Sequence, residues 1–406
     1  MRPRPIARPG LHRPERTSIV PASGIGPTEE SVAGYSTHGA VWWDFDSVEA
    51  FMVDAFKGYG LPEADAKISA EILITADKRG IDSHGVGRLK PIYLDRIKAG
   101  QINPVTKIDV VRDGPTTAVI DANNGMGQVA GKFANDLAVA KAKKYGMGAV
   151  AVRNSNHYGI AGYYTCEAAA RGCIGFSVTN ARPSIAPTFG VENMLGTNPL
   201  SWAMPTDEAF PFSIDCATSV TQRGKIEVYA RQKKQMPPGW VVGLDGTTKT
   251  DAVAVLDELV KGTAALTPVG GIGEDGGGYK GYGWATVVEI LSAALQQGAF
   301  LKGLLGFDAH GKRQPYKLGH FFMAVDIEAF TDLAAFKRTA GDICRALRAS
   351  RKAPGQTRIW TAGEKEWEAW LERKDTGVPF VEVERKEFDR LKSELKLSTY
   401  RFPWEK

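Results

Sequence analysis

The chain reads as an α/β protein, a sheet covered by helices with mainly helical stretches on either side. Three observations carry this reading. Short apolar runs alternate with helical patterns between Thr117 and Ala217, and apolar residues recur at helical spacing before Gly100 and again after Trp284. No stretch approaches the ~18 to 20 uninterrupted apolar residues that a membrane span needs.

In chain order, residues 1–40 hold Pro3, Pro5, Pro9, Pro14, Pro21 and Pro27 with little periodicity, and are expected to be a disordered or wrapped extension. Asp46 to Tyr59 reads as a capped helix. Pro62 opens a second, closed by Gly80. Ile81 to Gly85 is a polar loop, and a third helix runs from Arg88 to Ala99. Thr117–Asp121, Gly148–Arg153 and Ile174–Asn180 read as strands, separated by helices over Val129–Tyr145 and Ile160–Arg171. Leu200–Met204 and Phe212–Ala217 are short apolar runs, followed by a helix from Val220 to Gln232. The glycine-rich stretch Gly270–Gly283 leads into a helix over Trp284–Gln296. Phe321–Ile327 is a strand, and Asp332–Lys352, Glu364–Arg373 and Glu384–Leu397 are helices.

Composition narrows the function. Apolar residues make up 43% and charged residues 24%, the balance of a soluble globular protein. The net charge of +5 is concentrated in residues 1–16, where five arginines face one glutamate. The remainder is close to neutral, so neither nucleic acid nor a membrane is the expected partner. Cys166, Cys173, Cys216 and Cys344 form no C-x-x-C pair, so no metal site or redox dithiol is expected, and a reducing, cytoplasmic setting fits.

Two glycine motifs invite a dinucleotide reading. Gly271-Ile272-Gly273-Glu274-Asp275-Gly276 matches literally, but two carboxylates inside the loop oppose an anion. Gly125-Met126-Gly127-Gln128-Val129-Ala130-Gly131 lies between a strand and a helix. It reads either as a cofactor turn, with Arg153 as a 2′-phosphate partner, or as a tight turn with a close-packed glycine.

The polar clusters point to chemistry. In Ser83-His84-Gly85, with Arg88 following, a loop imidazole titrating near neutrality suits proton transfer to a forming alkoxide. Arg88 offers the fork that a carboxylate accepts, and Ser83 can orient either partner. The same residues also read as a capping loop. Arg153-Asn154-Ser155-Asn156-His157-Tyr158-Gly159 ends a strand, where open α/β sheets bind ligands, or is a solvated loop. Gly196-Thr197-Asn198-Pro199 and Asp215-Cys216-Ala217-Thr218 fall at strand edges. Lys280, flanked by glycines, can approach an anion. His310 sits in a turn, and His320, at the start of a strand, reads as structural.

Taken in order, Ile81 to Leu89, Val152 to Gly159, Gly196 to Pro199, Asp215 to Thr218 and Gly278 to Gly283 closely resemble the malate/L-lactate dehydrogenase family. That family is distinct from the Rossmann-type lactate and malate dehydrogenases, and includes ureidoglycolate and sulfolactate dehydrogenases, diketogulonate reductase and piperideine-carboxylate reductase. The resemblance covers residues 41–400. It implies NAD or NADP bound in a mixed-sheet α/β domain of non-Rossmann type, a homodimer, and hydride exchange with a small 2-hydroxy or 2-oxo acid. It makes His84 the proton donor with Ser83 as helper, beside Arg88, read from its forked cation as the carboxylate clamp. His157 belongs to the cofactor loop or to acid/base catalysis. It places the cofactor along His157, Tyr158, Gly159, Asn180, Asp215, Cys216, Ala217, Lys280 and the Gly363-Glu364-Lys365 motif, where relatives have Arg in place of Lys365. Tyr279 stands where many have His, and the acid of one imine-reducing branch is missing near Lys225. The Gly125 motif then becomes a structural turn.

The expected organisation is an extension over 1–40, a helical substrate and dimer region over 41–115, an α/β cofactor domain over 116–280, and a helix-rich region over 281–406 packing back on the N-terminal part. The alternative function is a catalytically silent nucleotide- or metabolite-binding homologue.

Overall fold

The computed structural model describes residues 39–405. Strand β1 (Val41–Trp43) leads into α1 (Phe45–Gly58), whose first turn is closed by the Asp44 carboxylate accepting the Ser47 N–H at 2.8 Å. Helix α2 (Glu63–Lys78) follows Pro62. The expected polar loop is a 3-10 turn over Asp82–His84, succeeded by a second over Val86–Arg88. The helix expected to Ala99 has the right extent but a different winding. Leu89–Leu94 is π-helical before α3 (Asp95–Lys98). Pro91 has no N–H to give and its ring crowds the preceding turn, which opens the winding.

The middle of the chain supplies β2 (Asp109–Asp113), β3 (Thr117–Asp121), α4 (Gly127–Tyr145), β4 (Met147–Ser155), α5 (Ala161–Ala170), β5 (Cys173–Thr179), β6 (Leu200–Met204) and β7 (Phe212–Cys216). After these come α6 (Arg223–Arg231), β8 (Val241–Gly243), α7 (Ala252–Lys261), β9 (Ala264–Leu266), α8 (Gly278–Ala293), β10 (Leu318–Asp326), α9 (Leu333–Ala349), α10 (Glu364–Arg373), β11 (Val378–Phe380) and α11 (Glu382–Glu394). Strands β1, β2, β8, β9 and β11 and helix α7 escape the sequence reading. The strands are short and carry no clear alternation.

Seven strands form one sheet in the order β2-β3-β4-β10-β5-β6-β7, with only β3 and β4 parallel. This mixed order is not the doubly wound parallel sheet of a Rossmann domain. Side chains alternate across it. Val150, Val152, Phe322 and Ala324 meet the alanine-rich faces of α4 and α5, where small residues let the helices lie close. Phe176, Val178, Phe321 and Met323 point the other way, toward Val288 of α8.

A second core joins the two ends of the described chain. β1 pairs antiparallel with β11, and Trp43, Phe51, Phe56, Phe380, Phe388 and Phe402 pack together. Each fully buried Phe there contributes about 1.5–3 kcal/mol.

Helix α8 begins six residues before the expected Trp284, so the glycine stretch is partly helix. Gly277 caps it at φ +80°, and Gly281 lies against the Val269 backbone where any side chain would collide. Close packing, not a loop, explains that glycine. No described helix is long and apolar enough to cross a membrane.

Candidate active site

The loop after α2 is built around Asp77. This fully buried carboxylate accepts the Val86 N–H at 2.9 Å and fills the space a side chain at Gly85 would need. Burial pushes the Asp77 carboxyl well up, and Asp82 adds to the effect. Above it, Ser83 Oγ lies 2.9 Å from His84 Nδ1. Arg88 Nε donates to the Ser83 carbonyl. His84 and Arg88 therefore belong to one tied loop.

His157, on the connection from β4 to α5, stacks on His84 with ring centroids 5.7 Å apart and planes 21° from parallel. Tyr93 Oη lies 2.7 Å from His157 Nδ1, and the Gly159 N–H donates to the same nitrogen at 3.3 Å. A nitrogen facing two donors is the unprotonated one, so the ring carries its proton on Nε2. Burial, helped by Arg88, pulls His84 down to about 4. Burial, then His84, Arg96 and Arg88, holds His157 well below its usual value. The guanidinium of Arg96 lies on the Tyr316 ring at 4.3 Å, close enough to Arg182 to feel its charge. Neutral imidazoles ringed by guanidinium groups make a receptor for a small anion.

A cleft of about 490 Å³ opens on the other side of the α2 terminus. Its walls include Arg79, Gly162 at the start of α5, Asp215 at the end of β7, and Gly363, Glu366 and Trp367. Asp215 Oδ2 accepts the Gly162 N–H at 2.6 Å. Asp215 is solvent-accessible on its cleft side, yet the crowding walls push its carboxyl up to about 6, against the pull of Gly162 N–H and Arg79. Phe210 stacks on Trp367 at 6.3 Å, giving the cleft an aromatic wall. A helix N-terminus, a carboxylate, basic groups and aromatic faces fit the nucleotide part of a dinucleotide.

A family profile of malate/L-lactate dehydrogenases matches residues 43–389. The chain belongs to that family. It is 44% identical over 346 residues to a malate dehydrogenase of Pyrococcus horikoshii, covering 85% of this chain and 93% of the relative. It is 38% identical over 349 residues to an L-sulfolactate dehydrogenase of Methanocaldococcus jannaschii, covering 86% and 94%. The crystal structure of malate dehydrogenase from Entamoeba histolytica superposes with a TM-score of 0.85 at 43% identity, covering 90% of this chain and 100% of that one. Membership makes the chain a hydroxy-acid oxidoreductase with a nicotinamide cofactor, as the resemblance implied, and the silent-homologue alternative gains no support.

Within this family frame the expected cofactor residues separate. Asp215 and Gly363 line the cleft. Asn180 does not: its Oδ1 accepts the Gly319 N–H at 2.8 Å and its Nδ2 donates to the Ala299 carbonyl at 3.3 Å, tying β5 to β10. Tyr158 is buried behind His157, stacked on His320 at 4.5 Å with its hydroxyl 3.1 Å from Ser177 Oγ. Gly159, at φ +84°, donates its N–H to His157. Glu364 accepts the Thr361 N–H at 2.9 Å and Arg358 at 2.6 Å, so it braces the start of α10. Lys365 is exposed over the Trp360 ring at 5.4 Å, and Lys280 is exposed over Tyr279 at 5.7 Å. Cys216 is exposed and Ala217 half-buried, and neither lines the cleft.

Other expectations resolve similarly. Gly127 packs on the carbonyls of Asn156 and His157, and Gly131 on the Tyr164 ring, so this motif is the close-packed turn. Arg153 pairs with Asp121 at 2.9 Å, as a framework contact. His320 bridges Thr179 and Ser155 hydroxyls, at 2.7 Å each. The sequence reading missed Tyr93, Asp77, Arg79, Arg96 and Gln128. Gln128 is fully buried on the first turn of α4 with neither amide atom hydrogen-bonded to another described residue. A buried amide with both ends free is rare enough to be a signal.

Proposed function

We propose that the chain exchanges a hydride between NAD or NADP and a small 2-hydroxy or 2-oxo acid, with His84 as the acid/base group. One observation carries the reading: His84 is stacked on His157 and tied by its loop to the forked cation of Arg88, with burial holding its imidazole below the usual value. Since Nδ1 faces Ser83 Oγ, Nε2 is the nitrogen left for substrate. In oxidation the Nε2 lone pair takes the hydroxyl proton while Nδ1–H donates to Ser83. In the reverse direction Nε2–H returns that proton to the carbonyl oxygen. Arg88 holds the carboxylate beside the ring. Tyr93 and the Gly159 N–H fix the orientation of His157.

When bound, the nicotinamide supplies or receives the hydride. On this chain, Asp215, Arg79 and the start of α5 suit the nucleotide half. The free donor and acceptor of Gln128 suit the carboxamide. The cleft carries Asp215 and Glu366 alongside Lys78, Arg79 and Lys337, so both cofactors are to be titrated. Relatives named for malate and sulfolactate act on acids with a second anionic group, and Arg96 and Arg182 supply further positive charge beside Arg88. Oxaloacetate is therefore the expected oxidant over pyruvate, by about tenfold or more in kcat/KM. Following NADH and NADPH oxidation with a panel of 2-oxo acids tests this. Absence of turnover with every acid would sink it.

The exposed side of α8 carries Trp284, Val287 and Ile290 at helical spacing, and exposed Ala294 and Leu295 follow its end, with a groove of about 760 Å³ beside them. This stripe supports a homodimer. Light scattering should give twice the chain mass, and Trp284→Glu should return it toward the monomer.

A further inference from the structure

The structure assigns to Arg373 a positioning role: from the last turn of α10 it sets the shape of the His84 loop. This rests on the reading of His84 as the acid/base group. Arg373 is only 1% exposed. Its guanidinium donates to both carboxylate oxygens of Asp82, at 2.5 and 2.9 Å, and to the Asp77 carbonyl at 2.8 Å. A forked pair of this kind fixes a carboxylate in plane as well as in distance.

Asp82 opens the turn that carries Ser83 and His84. Four residues on, Val86 is pinned by the Asp77 carboxylate beneath it. The imidazole thus hangs between two fixed points. One is held by Arg373 directly. The other is held by Asp77, whose own backbone carbonyl Arg373 also grips. Arg88 closes the span by donating to the Ser83 carbonyl. Glu384, on α11, packs against Gly87.

Buried ion pairs stabilise a fold poorly compared with apolar packing of equal volume. What this pair supplies is orientation. Displacing His84 by an ångström costs proton transfer dearly, while the separate cofactor cleft is unaffected.

Arg373→Lys keeps the charge and gives up the fork. It should lower kcat about tenfold, more than it raises KM, while leaving the NADH Kd, read by fluorescence titration, within about twofold. Asp82→Asn should behave alike. In a His84→Ala background the same Lys substitution should change kcat less than about twofold, because the group it positions is gone. Equal losses in both backgrounds would overturn the assignment, since a general loss of structure does not depend on His84. If His84→Ala alone leaves turnover intact, the acid/base reading fails separately. Amide exchange at Val86 then decides the clamp: faster exchange in Arg373→Lys sustains it, and unchanged exchange overturns it.

Discussion

The His84 loop and the Asp215 cleft share one helix end, yet they are built in opposite ways. Asp77, near the end of α2, is buried and grips the loop. Arg79, two residues later, opens into the cleft. On the loop, Asp82, Ser83, Val86 and Arg88 each have a partner that fixes them. In the cleft, aromatic and charged side chains present open faces. The contrast matches the tasks proposed for them: proton transfer tolerates little misplacement, whereas a cofactor must enter and leave.

The sharpest way to break this comparison is His84→Ala. Turnover should fall about 100-fold or more, the scale of general acid–base catalysis, with NADH affinity near that of the parent enzyme. Unchanged kcat removes His84 from the chemistry. Next is Arg88→Lys, which keeps charge but loses the fork. Its KM for the 2-oxo acid should rise by about 10- to 50-fold, more than kcat falls. Asp215→Ala probes the other region. It should weaken NADH binding by roughly tenfold with kcat little changed, and shift relative affinity toward NADPH by removing a negative charge. A kcat loss equal to that of His84→Ala would show the two regions are not separable.

The smallest expected effect is in pH dependence. kcat/KM for the 2-hydroxy acid should stay level down to about pH 5 and fall near the His84 value of about 4. In the reductive direction kcat should show a higher apparent value, because the substrate carboxylate cancels the repulsion from Arg88. Stability obeys the same sign. His84 is held at about 4 and His320 at about 3, both below the ordinary 6.5. Their contribution is whole above pH 6.5 and is lost as pH falls toward those values, since the unfolded chain binds the protons first. Thermal melts between pH 7 and 4 should show a falling Tm. A flat profile would contradict the buried, neutral imidazoles.

How much of this was legible in sequence depended on whether neighbours in the chain were neighbours in space. Ser83, His84 and Arg88 lie within one loop, so they could be read together. The alternation of β3, α4, β4, α5 and β5 likewise announced the sheet. Tyr93 resembled any core aromatic on a helix, and its hydroxyl meets His157 only after folding. Arg373 comes from a distant segment, so no local pattern linked it to the loop, and Asp77, nine residues before Val86, read as one more helix position until folding buried it. Asn180 and Glu364 sat in recognisable motifs, and the framework hydrogen bonds of their side chains showed only in the fold. The start of α8 was hidden because glycine normally argues against a helix, while here close backbone approach demands it.

The partners in the Asp82–Arg373 pair are 291 residues apart, a separation that becomes a matter of time during synthesis. At about 5–20 residues per second, a ribosome needs roughly 15–60 s between making the two residues. Throughout that interval the nascent polypeptide holds its imidazole without its anchor. The His84 loop can therefore take its final shape only after Arg373 has been made.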